Sequence, residues 1–237
     1  MEKKDPRYQA YIQILKEELI PAMGCTEPIA LAYAAAVARK TLGEMPDKVV
    51  VEASGSIIKN VKSVIVPNTG HLKGINAAAA AGIVAGDPDK KLEVIATVSQ
   101  EQIRQMKQFM EEVPIQVVHM EDGCTFDIIV TVFSGKSYAK VRIANFHTNI
   151  VLIEKNGEVL KSEAVSDDSE EGLTDRTLLD MEHIWDFAMT ADIDDVKALL
   201  DQQVAFNVAI AEEGIKNDYG ANIGKVLLDM DGNNVRV

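Results

Sequence analysis

The stretch TFDIIVTVFSGKSYAKVRI, Thr125 to Ile143, decides the fold. Its two β-rich runs, Thr125 to Phe133 and Tyr138 to Ile143, flank Ser134-Gly135-Lys136, a turn of the hairpin kind. Ile115 to His119 before it and Asn149 to Glu154 after it have the same β-rich texture, and Asn156-Gly157 supplies a further hairpin turn. The pattern predicts an antiparallel sheet over residues 115–160.

Working outward, helices take over on both sides. Tyr8, Tyr11, Ile12, Leu15 and Leu19 recur at helical spacing over residues 8–20. The segment Pro21-Ala22-Met23-Gly24-Cys25-Thr26-Glu27-Pro28 interrupts this helix, and an Ala-rich helix then runs from Ile29 to Leu42, ended by Gly43. Val49 to Ala53 and Val64 to Val66 read as short strands, separated by Ser54-Gly55-Ser56 and a Lys59-Asn60 loop. Pro67-Asn68-Thr69-Gly70 is a turn leading into a small-residue helix, Gly74 to Val84, and Ser99 caps a helix over Glu101 to Glu112. Ser162 to Gly172 is acidic and reads as an exposed loop, after which residues 173–213 are helical in two pieces divided near Thr190-Ala191-Asp192. The expected class is α+β, a central antiparallel sheet with Ala-rich helices before it and helices after it. Three regions are expected: 1–90 with helices, short strands and the Gly-rich turn, 91–172 with the sheet, and 173–237 as the start of a helical region that looks cut at Val235-Arg236-Val237.

Composition narrows the function. The 237 residues are 47% hydrophobic and 26% charged, as in a soluble protein of one large or two modest domains. With 24 Lys and Arg against 37 Asp and Glu the net charge is -13, and no Arg-rich stripe is present, which argues against a nucleic-acid partner. The N-terminus has no apolar segment behind its charges, and the longest apolar runs fall short of the roughly 20 residues a bilayer demands. No membrane partner is therefore expected. Cys25 and Cys124 lie far apart in sequence, which points to a reducing cytoplasm and not to a disulfide framework.

Three segments have residues suited to chemistry. Cys25 stands just before a helix start, where the positive helix end favours a thiolate fit for nucleophilic attack or for holding a soft metal; a structural cysteine fits the same place. Asn68 to Gly74 is a donor-rich turn entering a helix, where a carboxylate or phosphate binds readily, although its spacing alone favours an ordinary capped turn. It is not a Walker A loop, because Lys73 precedes Gly74 instead of following it. His147, followed by Thr148 and Asn149, is a candidate general base near neutral pH, although a lone strand histidine is more often structural. The context of a papain-type cysteine is absent around Cys25. The other histidines lack partners at zinc-ligand spacing, and Asp229-Met230-Asp231-Gly232 lacks the ligand series of an EF-hand.

Taken in order, Pro21 to Pro28, Lys59-Asn60, Val66 to Gly70, His147 to Ile150 and Tyr219-Gly220-Ala221-Asn222-Ile223-Gly224 resemble the L-cysteine desulfidase family, related to the α chain of iron–sulfur L-serine dehydratases. The resemblance implies the N-terminal part of a lyase, independent of pyridoxal phosphate (no PLP), that converts L-cysteine to pyruvate, ammonia and sulfide, or acts likewise on L-serine. It further implies a [4Fe-4S] cluster, with Cys25 matching one metal ligand. His147 is then the catalytic candidate, and Lys59, Asn60, Asn68, Thr69, Gly70, Thr148 and Asn149 are the substrate-binding candidates. An open-iron cluster needs three protein thiolates, and Cys124 matches no family ligand, so this chain is expected to hold no complete cluster and to be inactive alone. The implied partners are a small amino-acid substrate, a further C-terminal region or companion chain, and possible further copies in a homo-oligomer. The alternative is a non-catalytic module that binds a small amino acid or senses redox state.

Overall fold

The computed structural model describes residues 1–22, 24–165 and 173–232. Met23 of the Gly-Cys segment, most of the acidic loop after Val165, and the last residues after Gly232 lie outside the described residues. The chain forms two compact units, residues 21–169 and residues 1–20 together with 170–237.

In the larger unit six strands pair in the order β2-β1-β3-β4-β5-β6: β1 Lys48–Ala53, β2 Ile115–His119, β3 Asp127–Ser134, β4 Ser137–Ala144, β5 Ile150–Lys155 and β6 Glu158–Ser162. The α+β class holds, and the expected antiparallel hairpins run from β3 to β6. The sheet is nevertheless mixed, because β1 pairs antiparallel with β3 but parallel with β2. Parallel neighbours need a crossover between them. Here the connection carries the helices α3 Gly55–Val61, α4 Gly74–Ala85 and α5 Gln100–Glu112. No short-range pattern announces such a pairing. β6 is the second arm of the Asn156-Gly157 hairpin, in which Asn156 (φ 51°) and Gly157 (φ 86°) both take the left-handed conformation favoured in tight turns.

Alternation sets the buried face of this sheet. Val49, Val51 and Ala53 of β1 stand beside Val132, Val130 and Ile128 of β3, which stand beside Ala139, Val141 and Ile143 of β4, and all nine are fully buried. Helix α2, Thr26–Leu42, lies against these strands and α4 packs on α2. Both helices are dominated by alanine, and in α4 only Asn76 of the first nine residues is exposed, as suits a helix apolar on all sides. Ser99 and Gln102 form a reciprocal capping box that starts α5.

Two local expectations need correction. Residues 55–61, including Lys59 and Asn60, form helix α3 and not a loop, because Ser54 caps it by accepting from the Ile57 N–H. Val64 to Val66 is not a strand; it makes one isolated bridge, Ile65 to Lys73, that closes the 67–72 turn.

In the smaller unit α1, Pro6–Glu18, packs against α6, Met181–Thr190, and α7, Ile193–Lys216, with α8, Ile223–Met230, following. Phe187 meets Tyr8 and Tyr11 edge-on at 5.3 and 5.4 Å between ring centroids. Glu17 fastens the segment before α6 to α1: it accepts from the Thr174 N–H at 3.2 Å and pairs with Arg176 at 2.7 Å. Burial opposes the Glu17 charge, yet the hydrogen bonds from Thr174 and Arg176 outweigh it and hold the carboxyl at about 2. A carboxyl depressed in the folded state stabilises fully above its ordinary value near 4.5, and the contribution disappears as pH falls toward 2. The Thr174 amide resonance is therefore expected to titrate with a midpoint near 2; a midpoint near 4.5 would show that the clasp does not form.

Candidate functional site

Four of the segments behind the resemblance lie in the larger unit, with α3 following the end of β1 and the His147 turn joining the end of β4 to the start of β5, whereas Tyr219 to Gly224 belongs to the smaller unit. Gly24 makes the first junction. Its φ of +136° is open to glycine, and a Cβ there would sit 3.3 Å from Pro67 Cγ, so the Gly-Cys segment lies directly on the 67–70 turn. Cys25 follows as the N-cap of α2, with no side-chain capping bond and an exposed thiol.

Glu27 makes the second junction, and its role was missed in the sequence. Its Oε2 accepts from Cys25 Sγ at 3.1 Å, while Oε1 accepts from Asn60 Nδ2 of α3 at 3.2 Å. Burial works against the Glu27 charge, but bonds from Cys25, its own backbone N–H and Asn60 hold its carboxyl below the ordinary range. The same carboxylate acts on the thiol. Desolvation, then the bond and charge of Glu27, push the Cys25 thiol up, against the thiolate expected from the helix dipole. That expectation is corrected by burial first, and then by the carboxylate two residues away, which bonds to the protonated thiol and repels the thiolate.

His147 lies in the turn between β4 and β5 and is half-buried, its ring 4.5 Å from the ring of Phe126. Burial pushes its imidazole down, and the charge of Glu27 pulls it part of the way back. The same turn is shaped by Asn149, whose Nδ2 donates to Ala144 O at 3.1 Å, and by Thr148, whose carbonyl accepts from the Ile150 N–H at 3.1 Å. Cys25, Glu27 and Asn60 are thus joined by hydrogen bonds, His147 lies within reach of the Glu27 charge, and Lys59 is exposed on the same short helix as Asn60.

The 68–70 turn is occupied differently. Asn68 Nδ2 donates to Ile95 O at 3.1 Å and to Ala96 O at 3.2 Å, and the buried Thr69 hydroxyl donates to Val66 O at 2.7 Å. Gly70 lies beneath Ile103 of α5. The side-chain donors of this turn therefore hold the turn itself, and Pro67 is the residue that borders Cys25 through Gly24.

A four-iron cluster does not fit the residues present. Cys124 is the second of two cysteines; its thiol donates to Phe126 O at 3.1 Å beside the Asp127 carboxylate. Among the described residues no group of three or more Cys, His, Asp or Glu is placed to hold a metal. Cys25 can serve as one ligand and no more.

The chain is 54% identical over its whole length to a UPF0597 protein of Desulfitobacterium hafniense, of which it covers 55%. It is 44% identical, over 97% of its length, to a UPF0597 protein of Lachnoclostridium phytofermentans, again covering 55% of that protein. A UPF0597 protein of Treponema denticola is 42% identical over 94% of the chain and is covered over 52% of its own length. The chain thus spans about half the length of the curated relatives it matches. No family model and no solved structure matches it. Among the described residues, no helix is long and apolar enough to cross a membrane.

Proposed function

We propose that this chain supplies the Cys25-bearing half of a cytoplasmic lyase site that carries out β-elimination on a small amino acid, L-cysteine or L-serine, as in the L-cysteine desulfidases it resembles. One observation carries the reading: the Glu27 carboxylate joins Cys25 to Asn60 by hydrogen bonds, bringing together two segments far apart in sequence, with His147 of a third within reach of its charge. Those segments are among the ones on which the resemblance rests.

The chemistry asks for a base at the α carbon and for anchors at the two ends of the amino acid. His147, whose burial favours the neutral imidazole, is the base that takes the α proton. Glu27 faces the substrate ammonium, and Lys59 the substrate carboxylate. The electron pair of the Cα–H bond becomes the Cα–Cβ double bond as the C–S bond breaks. The sulfur leaves with its electron pair as hydrosulfide; in the case of serine the hydroxyl leaves with its pair, takes the proton that His147 has accepted and departs as water. The aminoacrylate left behind hydrolyses to pyruvate and ammonia. Any cluster with an open iron must draw its further thiolates from residues other than those described, and no step above runs through it.

The test is anaerobic iron–sulfur reconstitution of the full-length Desulfitobacterium relative, followed by measurement of sulfide from L-cysteine and pyruvate from L-serine. Alanine at the position aligned with Cys25 is expected to lower turnover by at least about 100-fold. Unchanged turnover in that variant, or no product from either amino acid, overturns the reading.

A further inference from the structure

The smaller unit exposes helices whose composition belongs to a protein interior. From Gln203 to Ala211, α7 reads QVAFNVAIA, with no charged side chain. Nine residues at about 3.6 per turn sweep every side of the helix. All nine are exposed, Ile210 at 68%. Gln203 and Asn207, four apart, make one narrow polar line, and the rest of the circumference is apolar; a helix apolar over most of its circumference is ordinarily buried over most of it. On α6, Met181, Trp185 and Met189 recur every fourth residue along one exposed line, with Met181 81% and Trp185 69% exposed. Between these helices and α1 lies an apolar groove of about 450 Å³, lined by Tyr11, Ile14, Leu15, Ile184, Phe187 and Val196 among others. Large contiguous apolar surface of this kind marks an interaction site.

We propose that this groove and the bare middle of α7 form the seat of an apolar-faced polypeptide equivalent to the part of the longer relatives that the chain does not match. Two observations select that occupant. The Desulfitobacterium protein is covered over 55% of its length, so a further domain-sized polypeptide accompanies this sequence there. A helix exposed all round and apolar on every side but the Gln203–Asn207 line also needs a partner that wraps it. A twofold contact with a second copy presents one self-complementary patch and covers one face. The seat lies in α1, α6 and α7 and involves none of the residues of the lyase reading, so the two stand or fall separately.

The experiment compares this chain with the full-length Desulfitobacterium relative by amide hydrogen exchange, with light scattering to fix the mass of each. In this chain residues 203–211 are expected to exchange rapidly from a monomer, and Trp185, its single tryptophan, to be quenched readily by acrylamide. In the relative the aligned helix is expected to exchange at least about 100-fold more slowly. Ile210→Asp should leave the melting temperature of this chain unchanged, whereas the aligned substitution in the relative should lower it. A chain that already protects α7 or shields Trp185 overturns the proposal, with dimer mass naming a second copy as the occupant. Equal, rapid exchange of the helix in both proteins overturns it as well.

Discussion

Replacing Gly82 by alanine is expected to destabilise the larger unit by roughly 3 kcal/mol, more than any other single methyl group added to it. The cause is the approach of α4 to α2. A Cβ on Gly82 would stand 2.8 Å from the Ala32 carbonyl carbon and 2.9 Å from its Cα, and closer still to its oxygen. These are backbone atoms in the middle of a helix, so no side-chain rotation relieves the clash. One turn further on, a Cβ at Gly86 would come within 2.7 Å of Ala36 Cβ. The alanines of the two helices let them meet this closely, and tight packing replaces the dispersion energy that larger side chains would otherwise supply. Because α2 begins at the Cys25 cap, parting the helices also displaces Cys25 and Glu27. Urea unfolding followed by circular dichroism measures the effect. An unchanged midpoint would show that α2 and α4 lie further apart than described. Gly214→Ala is the control: a Cβ there meets nothing within 4 Å, so helix propensity alone should act, stabilising α7 by up to about 1 kcal/mol.

What was legible in the sequence was local. The two β-rich runs at 125–133 and 138–143, the Asn156-Gly157 turn and the Ser99 cap each depend on neighbours within a few positions, and each stands as read. The misreadings come from partners distant in the chain. Helix α3 has seven residues, too few for a clear period, and the Ser54 side chain that caps it is held by donating to Thr125 O at 2.7 Å, 71 positions away. The parallel pairing of β1 with β2 depends on how α3, α4 and α5 cross the sheet. At the site, the positions of Cys25, Asn60 and His147 could be named from motifs, but not the Glu27 carboxylate that links them. A Glu two residues after a helix cap is an ordinary first-turn acid; only the arrival of Asn60 from another helix gives it a second function. Likewise the Asn68 amide, seemingly free for a ligand, is claimed by carbonyls 27 and 28 positions on.

Removing the Asp127 carboxylate, as in Asp127→Ala, is expected to cost about 3 kcal/mol, the lower end of what breaking a buried pair costs. Asp127 is fully buried at the start of β3, and its two oxygens take a two-pronged grip from Arg142 of β4, Nε to Oδ1 at 2.9 Å and Nη2 to Oδ2 at 2.6 Å. The Cys124 N–H adds a third bond at 3.3 Å. Arg142 keeps 27% of its side-chain surface, so water can partly resolvate it once its partner is gone, which tempers the loss. The reverse change should cost more. Arg142→Met leaves a carboxylate with no solvent access and no counter-charge, whereas the double variant Asp127→Leu with Arg142→Met leaves neither charge stranded. A strong coupling is therefore expected, the double variant being more stable than the sum of the singles by at least about 1 kcal/mol. Additive losses would show that the pair contributes nothing as a pair. The lyase reading supplies a second readout, because Asp127 follows Phe126, the ring against which His147 rests, and Arg142 lies in the strand that leads into the His147 turn. Loosening this pair lets the His147 ring drift from the patch made by Cys25, Glu27 and Asn60. The ring resonances of His147 should then broaden or shift in Asp127→Ala at temperatures where the sheet is still folded, while those of His183 in the smaller unit stay unchanged.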